Sequence, residues 1–579
     1  MKHVRIGIKT QITDALPELI IYLCFLFCIN KKTFRMALFK SLSLFLTAYL
    51  LVFEFSALSQ KSTQVLSEIR ADDLAAHVNF LASPLLQGRS NGDPGLKIAL
   101  NYIVSQAKLL DLKPANGDSY LQEYSIVKKS IDYDKTSVQV FSEGNDTVTI
   151  KEKMFQIHPS GASDFEVEGE VVFAGYGIKS DKYNYNDLEN IETEGRILLV
   201  MNRAPLSEDG SRILFSEPLW SSFMNIQWKL SYLLFSKASA ILFVTDPKSC
   251  FSSMDEQYPG ISGSLESSMY PENSRPMVFD LPGMPRIIFV HRVVADEILK
   301  GTGHTLEELQ RTIDSGLNPV SFAVTGKKIK ITEVSRTEEI IMHNAAAYIE
   351  GSDPDLKNEI VIFSAHADHI GTAGKYVNAG ADDNASGCSA LLEIADAFSK
   401  LVKKPLRTVL FLWFSGEEIG LLGSQSYTDN PLFPLEQTVA NLNLDMIGRI
   451  KGVADSTADT PMTGPDMVYV ITGDQSSELR SVAEEADKRS VLDFDYSLSG
   501  RNNPLQLFAR SDHYNFVKND IPVLFFSSGL HSDYHSPRDT VDKINFRKME
   551  LIARTIFDIG YTLANSRSRI VVDNPFSSW

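Results

Sequence analysis

Four long apolar runs in the last part of the chain predict buried β-strands. They read EIVIFSA (359–365), RTVLFLWF (407–414), VANLNLD (439–445) and IPVLFFSS (521–528). Helical stretches such as 386–401 and 477–489 separate them. Continuous apolar strands that alternate with helices are typical of a mostly parallel sheet with helices on both faces. The pattern therefore predicts a three-layer α/β/α domain with a mixed, mostly parallel central sheet.

Shorter periodic segments precede this region. Residues 71–112 carry apolar positions at helical spacing, and residues 120–160 alternate as strands do. Short apolar strands separated by helices follow between 166 and 292 and predict a smaller α/β module. We therefore divide the chain beyond residue 59 into a first part of the main domain (60–164), an inserted α/β domain (165–325), the rest of the main domain (326–570) and a tail (571–579).

Residues 1–59 carry a targeting pattern. Two apolar runs, 15–29 and 37–58, are flanked by Lys and Arg, and the second ends in the small-x-small sequence Ala57-Leu58-Ser59. This pattern predicts a cleaved signal peptide, with Met36 as an alternative start, and hence a secreted or periplasmic protein with no other membrane contact. A membrane anchor made of the two runs is the alternative, but Glu54 interrupts the second run.

Composition narrows the possible functions. With 579 residues, of which 44% are hydrophobic and 22% charged, the chain is globular and long enough for two or three domains. A formal charge of −17 argues against a broad nucleic-acid-binding surface. Two cysteines outside the N-terminal segment, Cys250 and Cys388, are too few for a disulfide scaffold. The oligomeric state stays open.

Histidine, aspartate or glutamate follows each of the four apolar strands. The segments in question are HADH (366–369), SGEE (415–418), Asp445 and HSDYHSPRD (531–539). Each of these segments alone has an ordinary interpretation as a helix cap, a first helical turn or a polar loop. Ligands of open α/β sheets bind beyond the carboxyl ends of the strands, so the four segments together predict one site there.

The donor types in these segments predict a zinc site. Histidine and carboxylates without cysteine suit Zn²⁺ in a hydrolase better than Zn²⁺ in a structural site. The number of donors favours two ions, which in such sites lie about 3.5–4 Å apart. The segment GADDNASG (380–387) supplies Asp383, whose small neighbours let a cation approach, so this carboxylate suits a bridging position. Two dications would also offset the repulsion between Asp382 and Asp383.

The array HAD…GADDNASG…SGEE…NLDMIG…RSDH…YHSPRDT resembles the co-catalytic zinc exopeptidases, which include secreted bacterial leucyl aminopeptidases and glutamate carboxypeptidase II. The resemblance extends over about residues 70–565. Residues 165–325, with VVFAGYGI and EGRILLVMNR, resemble the protease-associated domain that is inserted in many members of this group.

The resemblance implies five zinc ligands and three residues that act in catalysis. The implied ligands are His366 and Asp445 for one ion, Glu418 and His535 for the other, and Asp383 for both. Glu417 would be the general base and acid. Asp368 would accept the second ring N–H of His366, and Tyr534 would polarise the scissile carbonyl.

The implied activity is hydrolysis of N-terminal peptide bonds by a zinc aminopeptidase with peptide substrates. Four arginines near the motifs, Arg449, Arg501, Arg510 and Arg538, keep open a glutamate carboxypeptidase-like enzyme, because such an enzyme must recognise carboxylates. A glutaminyl cyclase with one zinc and a non-catalytic receptor-like homologue are further alternatives. The complete two-metal ligand set and the inserted domain argue against the cyclase, and the complete ligand set with Glu417 argues against the receptor.

Overall fold

The computed structural model describes residues 65–579 except for 145, 158–163, 216–223, 259–266, 272–283, 374, 453–454, 456–460, 473, 501–502, 504 and 579. The predicted signal peptide and its cleavage site lie outside the described residues and stay predictions. The unit formed by Glu68–Trp579 contains both of the sheets described below.

The strands form two large sheets and two short two-stranded ribbons. In chain order they are β1 (Lys113–Pro114), β2 (Leu121–Ile131), β3 (Ser137–Ser142), β4 (Thr147–Ile150), β5 (Phe155–Ile157), β6 (Phe165–Ala174), β7 (Lys179–Ser180), β8 (Tyr185–Asn186), β9 (Ile197–Met201), β10 (Ala240–Val244), β11 (Ser267–Pro271), β12 (Arg286–Val290), β13 (Ser321–Glu333), β14 (Ser335–Ile349), β15 (Ile360–His366), β16 (Thr372–Ala373), β17 (Tyr376–Val377), β18 (Thr408–Phe414), β19 (Thr438–Leu444), β20 (Met467–Ile471), β21 (Asp493–Asp495) and β22 (Val523–Ser527).

The α-helices fill the intervals between these strands. In chain order they are α1 (Ala71–Leu81), α2 (Pro94–Leu109), α3 (Met224–Leu233), α4 (Met254–Gln257), α5 (Arg292–Leu299), α6 (Leu306–Gly316), α7 (Gly387–Ser399), α8 (Leu422–Asp429), α9 (Ser477–Arg489), α10 (His513–Val517) and α11 (Phe546–Asn565). Polar side chains begin several of them. Thr305 and Glu308 form a capping box at α6, and the Asn545 side chain accepts the Lys548 N–H at α11. None of the described helices has the length and apolarity of a membrane span.

The main sheet has the strand order β11-β2-β14-β18-β15-β19-β22-β20-β21, and β1 pairs with β14. Its centre consists of β18, β15, β19 and β22, which run parallel to one another. The strands on either side, β14 and β20, are antiparallel to this centre. These four central strands are the four apolar runs of the sequence, so the predicted mixed, mostly parallel sheet is confirmed.

One face of the main sheet packs against α8 and α10. Ile362 of β15 and Leu412 of β18 belong to the same apolar cluster as Tyr427 of α8 and Phe516 of α10. The rings of Tyr427 and Phe516 lie 5.9 Å apart between centroids. Since successive side chains of a strand point to opposite faces, the neighbours of Ile362 and Leu412 are available to the other layer.

The opposite face packs against α7 and α11 through aromatic rings. Phe363 of β15 lies 5.5 Å from Phe398 of α7, and Phe411 of β18 lies 6.1 Å from the same ring, measured between centroids. Phe398 in turn lies 4.6 Å from Phe557 of α11. Helices therefore cover both faces, and the predicted three-layer α/β/α arrangement is confirmed.

The second sheet has the strand order β4-β3-β13-β6-β9-β10-β12-β5. Its central strands β6, β9, β10 and β12 are parallel, and the outer strands are antiparallel. Its strands lie within 137–157 and 165–333, whereas β11 pairs with β2 of the main sheet. The predicted domain limits and the protease-associated character of this region stay predictions.

Gly560 sets the closest approach of α11 to β15. A Cβ atom at this position would lie 2.0 Å from Cζ of the buried Phe363 ring. We expect Gly560→Ala to lower the midpoint of thermal unfolding, because overpacking of a core costs about 1–3 kcal/mol. Circular dichroism would measure the midpoint.

Gly464→Ala is the matched control, since a Cβ atom there meets nothing within 4 Å. An unchanged unfolding midpoint in both variants would contradict the close helix–sheet contact at Gly560.

Candidate metal centre

The four central strands of the main sheet deliver histidine and acidic side chains to one edge. β15 ends at His366, β18 is followed by Glu417 and Glu418, β19 is followed by Asp445, and the loop after β22 carries His535. Because these strands are parallel, their carboxyl ends meet at the same edge of the sheet. The site lies where the sequence predicts it.

His366, Asp383 and Asp445 form a first cluster of candidate ligand atoms. Nε2 of His366 lies 3.4 Å from Oδ1 of Asp383 and 3.3 Å from Oδ1 of Asp445. Candidate ligand atoms of the three side chains lie within 4.8 Å of one another, and all three residues are buried. One cation could contact all three.

Asp383 also belongs to a second cluster, which it forms with Glu418, His369 and His535. Nε2 of His535 lies 3.2 Å from Oδ2 of Asp383 and 2.9 Å from Oε2 of Glu418. Oε1 of Glu418 lies 2.8 Å from Nδ1 of His369. Asp383 thus directs one carboxylate oxygen to each cluster. All five implied ligands converge.

His369 is a site residue that sequence reasoning missed. Its Nδ1 lies 3.8 Å from Oδ2 of Asp383 as well as close to Glu418, and its ring meets the His535 ring edge-on at 5.7 Å. It follows His366 by three residues in the same loop, so its proximity could have been inferred from the sequence. The direction of its ring could not, because that direction depends on the packing of the loop.

The carboxylate of Asp368 holds the backbone of the two adjacent glutamates. Its two oxygens accept the backbone N–H groups of Glu417 and Glu418, each at 3.2 Å, and Nδ2 of Asn91 donates at 2.7 Å. Nδ1 of His366 lies 3.7 Å from this carboxylate but 3.2 Å from the backbone carbonyl oxygen of Asp368. The carbonyl oxygen is thus the nearer neighbour of this ring nitrogen, and the ring contact implied for the Asp368 carboxylate stays a prediction.

Asp539 holds the two adjacent aspartates in the same way. Its carboxylate accepts the backbone N–H of Asp382 at 3.0 and 3.1 Å and that of Asp383 at 3.1 Å. The Asp382 carboxylate turns away from the clusters, because it accepts the Gly448 N–H at 2.6 Å and lies 3.4 Å from Nε2 of His531. The repulsion between Asp382 and Asp383 is thus reduced by pointing the two side chains in opposite directions.

Arg89 joins the loops that carry His366 and Asp383. It donates from Nε to the carbonyl oxygen of Ala367 at 2.9 Å, and from Nη1 and Nη2 to those of Ala379 and Gly380 at 2.8 and 3.0 Å. The residue is 1% exposed, so these carbonyl groups replace water around the guanidinium. Sequence reasoning assigned no role to Arg89 or Asn91, which lie far upstream of the ligands.

The site concentrates negative charge away from solvent. Burial raises the pKa of Glu417 well above its usual value, and the charges of Glu418 and Asp445 add to this effect against the opposing His366. Burial and Asp383 also act to raise the pKa of Glu418, but the imidazoles of His535 and His369 bring it to about 2. Buried carboxylates at such distances require compensation by positive charge.

The residues fit divalent cations. Nε2 of His535 is buried and makes no hydrogen bond, although it faces two carboxylates. Imidazole nitrogens and carboxylate oxygens without a thiolate are the donor set of zinc sites in hydrolases. Two clusters that share Asp383 match the arrangement expected for a bridging carboxylate.

Glu417 and Tyr534 face a pocket beside the two clusters. The Tyr534 ring stacks on the His535 ring at 3.8 Å between centroids, and burial raises the pKa of its hydroxyl well above its usual value. Four of the other lining residues have apolar side chains, and one, Arg510, is basic. The full lining comprises Asp383, Glu417, Asp445, Met446, Leu507, Arg510, Phe525, Ser527, Gly529, Leu530 and Tyr534.

Residues 344–560 match the sequence profile of peptidase family M28. This segment contains both histidine–carboxylate clusters, together with Glu417 and Tyr534. This segment, which is less than half of the chain, is similar to peptidase family M28. The resemblance to the co-catalytic zinc exopeptidases is thereby confirmed.

Fungal sequences are similar to this M28 segment. A probable leucine aminopeptidase of Arthroderma otae is 31% identical over 222 residues, which are 36% of this chain and 56% of the relative. A probable leucine aminopeptidase 1 of Trichophyton verrucosum is 28% identical over 251 residues, 42% of this chain and 62% of the relative. The matches therefore span less than two thirds of the relatives' length.

Solved bacterial structures share the fold of this chain. An aminopeptidase from Aneurinibacillus sp. strain AM-1 has a TM-score of 0.50 at 18% identity, and the match covers 89% of this chain and 99% of that chain. A zinc aminopeptidase from Bacillus subtilis has a TM-score of 0.51 at 17% identity, with coverages of 88% and 98%. At these identities the likeness concerns the fold.

The hydrogen bonds to Asp539 generate a prediction for metal binding. We expect Asp539→Asn to weaken the affinity for zinc about 10- to 100-fold, as loss of a group that positions a ligand typically does. The amide would turn a donor toward the backbone N–H groups of Asp382 and Asp383 and so disturb the carboxylate of Asp383. Competition with a zinc chelator of known affinity would measure the change.

Asp573→Asn is the matched control. Asp573 also accepts a backbone N–H, that of Ser477 at 3.2 and 3.3 Å, but it is exposed and outside the site. Equal zinc affinities of the two variants would contradict the role assigned to Asp539.

Proposed function

We propose that this protein is a secreted zinc aminopeptidase that releases N-terminal residues from peptides. The observation that carries the proposal is the pair of histidine–carboxylate clusters that share Asp383, with Glu417 beside them in the pocket. Similarity to leucine aminopeptidases of two fungi and the fold of bacterial aminopeptidases support it. Secretion rests on the predicted signal peptide.

Two zinc ions would occupy the two clusters. In this proposal His366 and Asp445 would hold one ion, Glu418 and His535 would hold the other, and Asp383 would contribute to both sites. Bound zinc supplies Lewis acidity, which polarises a carbonyl group and makes water a stronger acid. His369 donates a hydrogen bond to Glu418 and so orients that ligand.

Glu417 is the proposed general base and acid. Its carboxylate takes a proton from the attacking water and then delivers it to the nitrogen of the leaving amine. A raised pKa suits this exchange, because a carboxyl group that titrates nearer to neutral pH both accepts and releases protons efficiently. Asp368 keeps the base in place through the backbone N–H of Glu417.

Tyr534 is proposed to stabilise the negative charge that develops on the carbonyl oxygen. Since burial raises the pKa of its hydroxyl, the phenol stays protonated and can donate a hydrogen bond. The stacking of Tyr534 on His535 would hold the hydroxyl near the second cluster.

Two of the four arginines near the motifs give no support to a glutamate carboxypeptidase-like enzyme. Arg449 and Arg538 both pair with Asp533 at 2.9 and 2.8 Å. Their charges are thus compensated within the protein, whereas recognition of a terminal glutamate requires arginines that face the substrate.

Removal of the metal should abolish the activity. We expect chelation to stop hydrolysis of a leucyl anilide and added Zn²⁺ to restore it, with elemental analysis giving two zinc ions per active chain. Hydrolysis that survives complete metal removal would refute the metal-dependent mechanism. Full activity with a single ion would refute the two-ion assignment.

Glu417→Gln should separate catalysis from metal binding. We expect kcat for the leucyl anilide to fall by at least about 100-fold, because general acid–base catalysis contributes that much or more. The zinc content should stay unchanged, since Glu417 is not a proposed ligand. Glu436→Gln, at an exposed glutamate outside the site, is the control and should retain wild-type kcat.

A further inference from the structure

Among the arginines near the motifs, two are occupied by contacts within the protein. Arg449 is buried, donates from Nη2 to Asp533 at 2.9 Å and lies 3.7 Å from Asp539. Arg538 donates from Nε to the other oxygen of Asp533 at 2.8 Å. Lys543 completes this group with a contact of 2.7 Å to Asp533. These cations hold the loop that carries His535.

Arg510 has a different environment. It lines the pocket together with Glu417 and Tyr534. Its Nη2 lies 3.4 Å from the Tyr534 hydroxyl, and its guanidinium carbon lies 5.9 Å from the centre of that ring. In the part of the chain that the structure describes, it forms no ion pair with a carboxylate.

The backbone next to Arg510 is held in place. Asn443, in β19, donates from Nδ2 to Oγ of Ser511 at 2.9 Å, and Ser511 also hydrogen-bonds to the Asp445 side chain. His513 contacts the carbonyl oxygen of Phe508 through Nε2 at 2.7 Å. Arg510 therefore precedes a residue that contacts Asp445, and its own side chain lines the pocket.

A guanidinium with its donors directed into a substrate pocket is suited to a carboxylate. Its planar fork matches both oxygens of that group, and charge-assisted pairs are among the stronger hydrogen bonds in proteins. Under the proposed function, zinc compensates the carboxylates of the pocket, so Arg510 remains as a cation available to the substrate. Met446, Leu507, Phe525 and Leu530 offer apolar surface for the aliphatic part of the same ligand.

We infer that Arg510 binds a carboxylate of the peptide substrate and thereby selects acidic or short peptides. The carboxylate comes either from an acidic side chain of the first residue or from the free carboxyl group of a dipeptide. This inference rests on the proposed aminopeptidase function and specifies its substrate class.

Isosteric substrate pairs test the inference. One pair is glutamyl anilide against glutaminyl anilide, and the other is leucylglycine against leucylglycine amide. We expect Arg510→Ala to lower kcat/KM for the acidic member of at least one pair by about 10- to 100-fold relative to its neutral partner, through KM. The pair that responds identifies the source of the carboxylate. Arg489→Ala, at an exposed arginine outside the site that pairs with Asp558, is the control and should leave both ratios unchanged.

An equal loss for charged and neutral substrates would overturn the inference, because Arg510 would then act through Tyr534 on the reaction itself. Unchanged ratios in both pairs would overturn it as well.

A binding experiment distinguishes failure of this inference from failure of the proposed function. If the zinc-loaded wild-type protein hydrolyses none of the four substrates, the proposed function fails. Calorimetry with the Glu417→Gln protein then decides the role of Arg510. The inference is supported if the acidic member of a pair binds more tightly than its neutral partner and this difference is lost in the Glu417→Gln/Arg510→Ala protein. It is overturned if both members bind equally.

Discussion

Two buried carboxylates hold the backbone on which the metal centre is built. Asp368 accepts the successive backbone N–H groups of Glu417 and Glu418, and Asp539 accepts those of Asp382 and Asp383. Each therefore fixes a pair of adjacent acidic residues whose side chains must serve different purposes. The N–H groups offset part of the cost of burying each carboxylate, and Arg449, 3.7 Å from Asp539, adds positive charge there.

The same principle explains how so much negative charge is kept in one place. The carboxylates that face the clusters have imidazoles as neighbours, and those behind them have backbone N–H groups or the Asn91 amide. The loop carbonyls are in turn bound by the guanidinium of Arg89. Divalent cations bound at the clusters would compensate the negative charge of the carboxylates that face them, and would contribute most to stability there.

The three-layer architecture gives this arrangement its rigidity. Parallel strands buried on both faces place four loops at one edge, and the aromatic contacts of Phe363 and Phe398 lock α7 and α11 against the sheet. The Asn384 side chain begins α7 by accepting the Gly387 N–H at 2.8 Å, so Asp383 stands next to a fixed helix start. These elements therefore hold the candidate ligands in position.

The sequence by itself determined the strands, the layers and the edge of the sheet where chemistry occurs. A long apolar run indicates a buried strand. One candidate residue follows each run, namely His366, Glu417, Asp445 or His535, and parallel strands suffice to bring these residues together. Tertiary structure alone decided which side chain of each acidic pair faces the clusters, that His369 joins them, and which arginine faces the pocket. It also brought Arg89 and Asn91 to loops that lie 290 and 325 residues away along the chain. Side-chain direction and long-range hydrogen bonds are set by packing between distant elements, and no local pattern of residues encodes them.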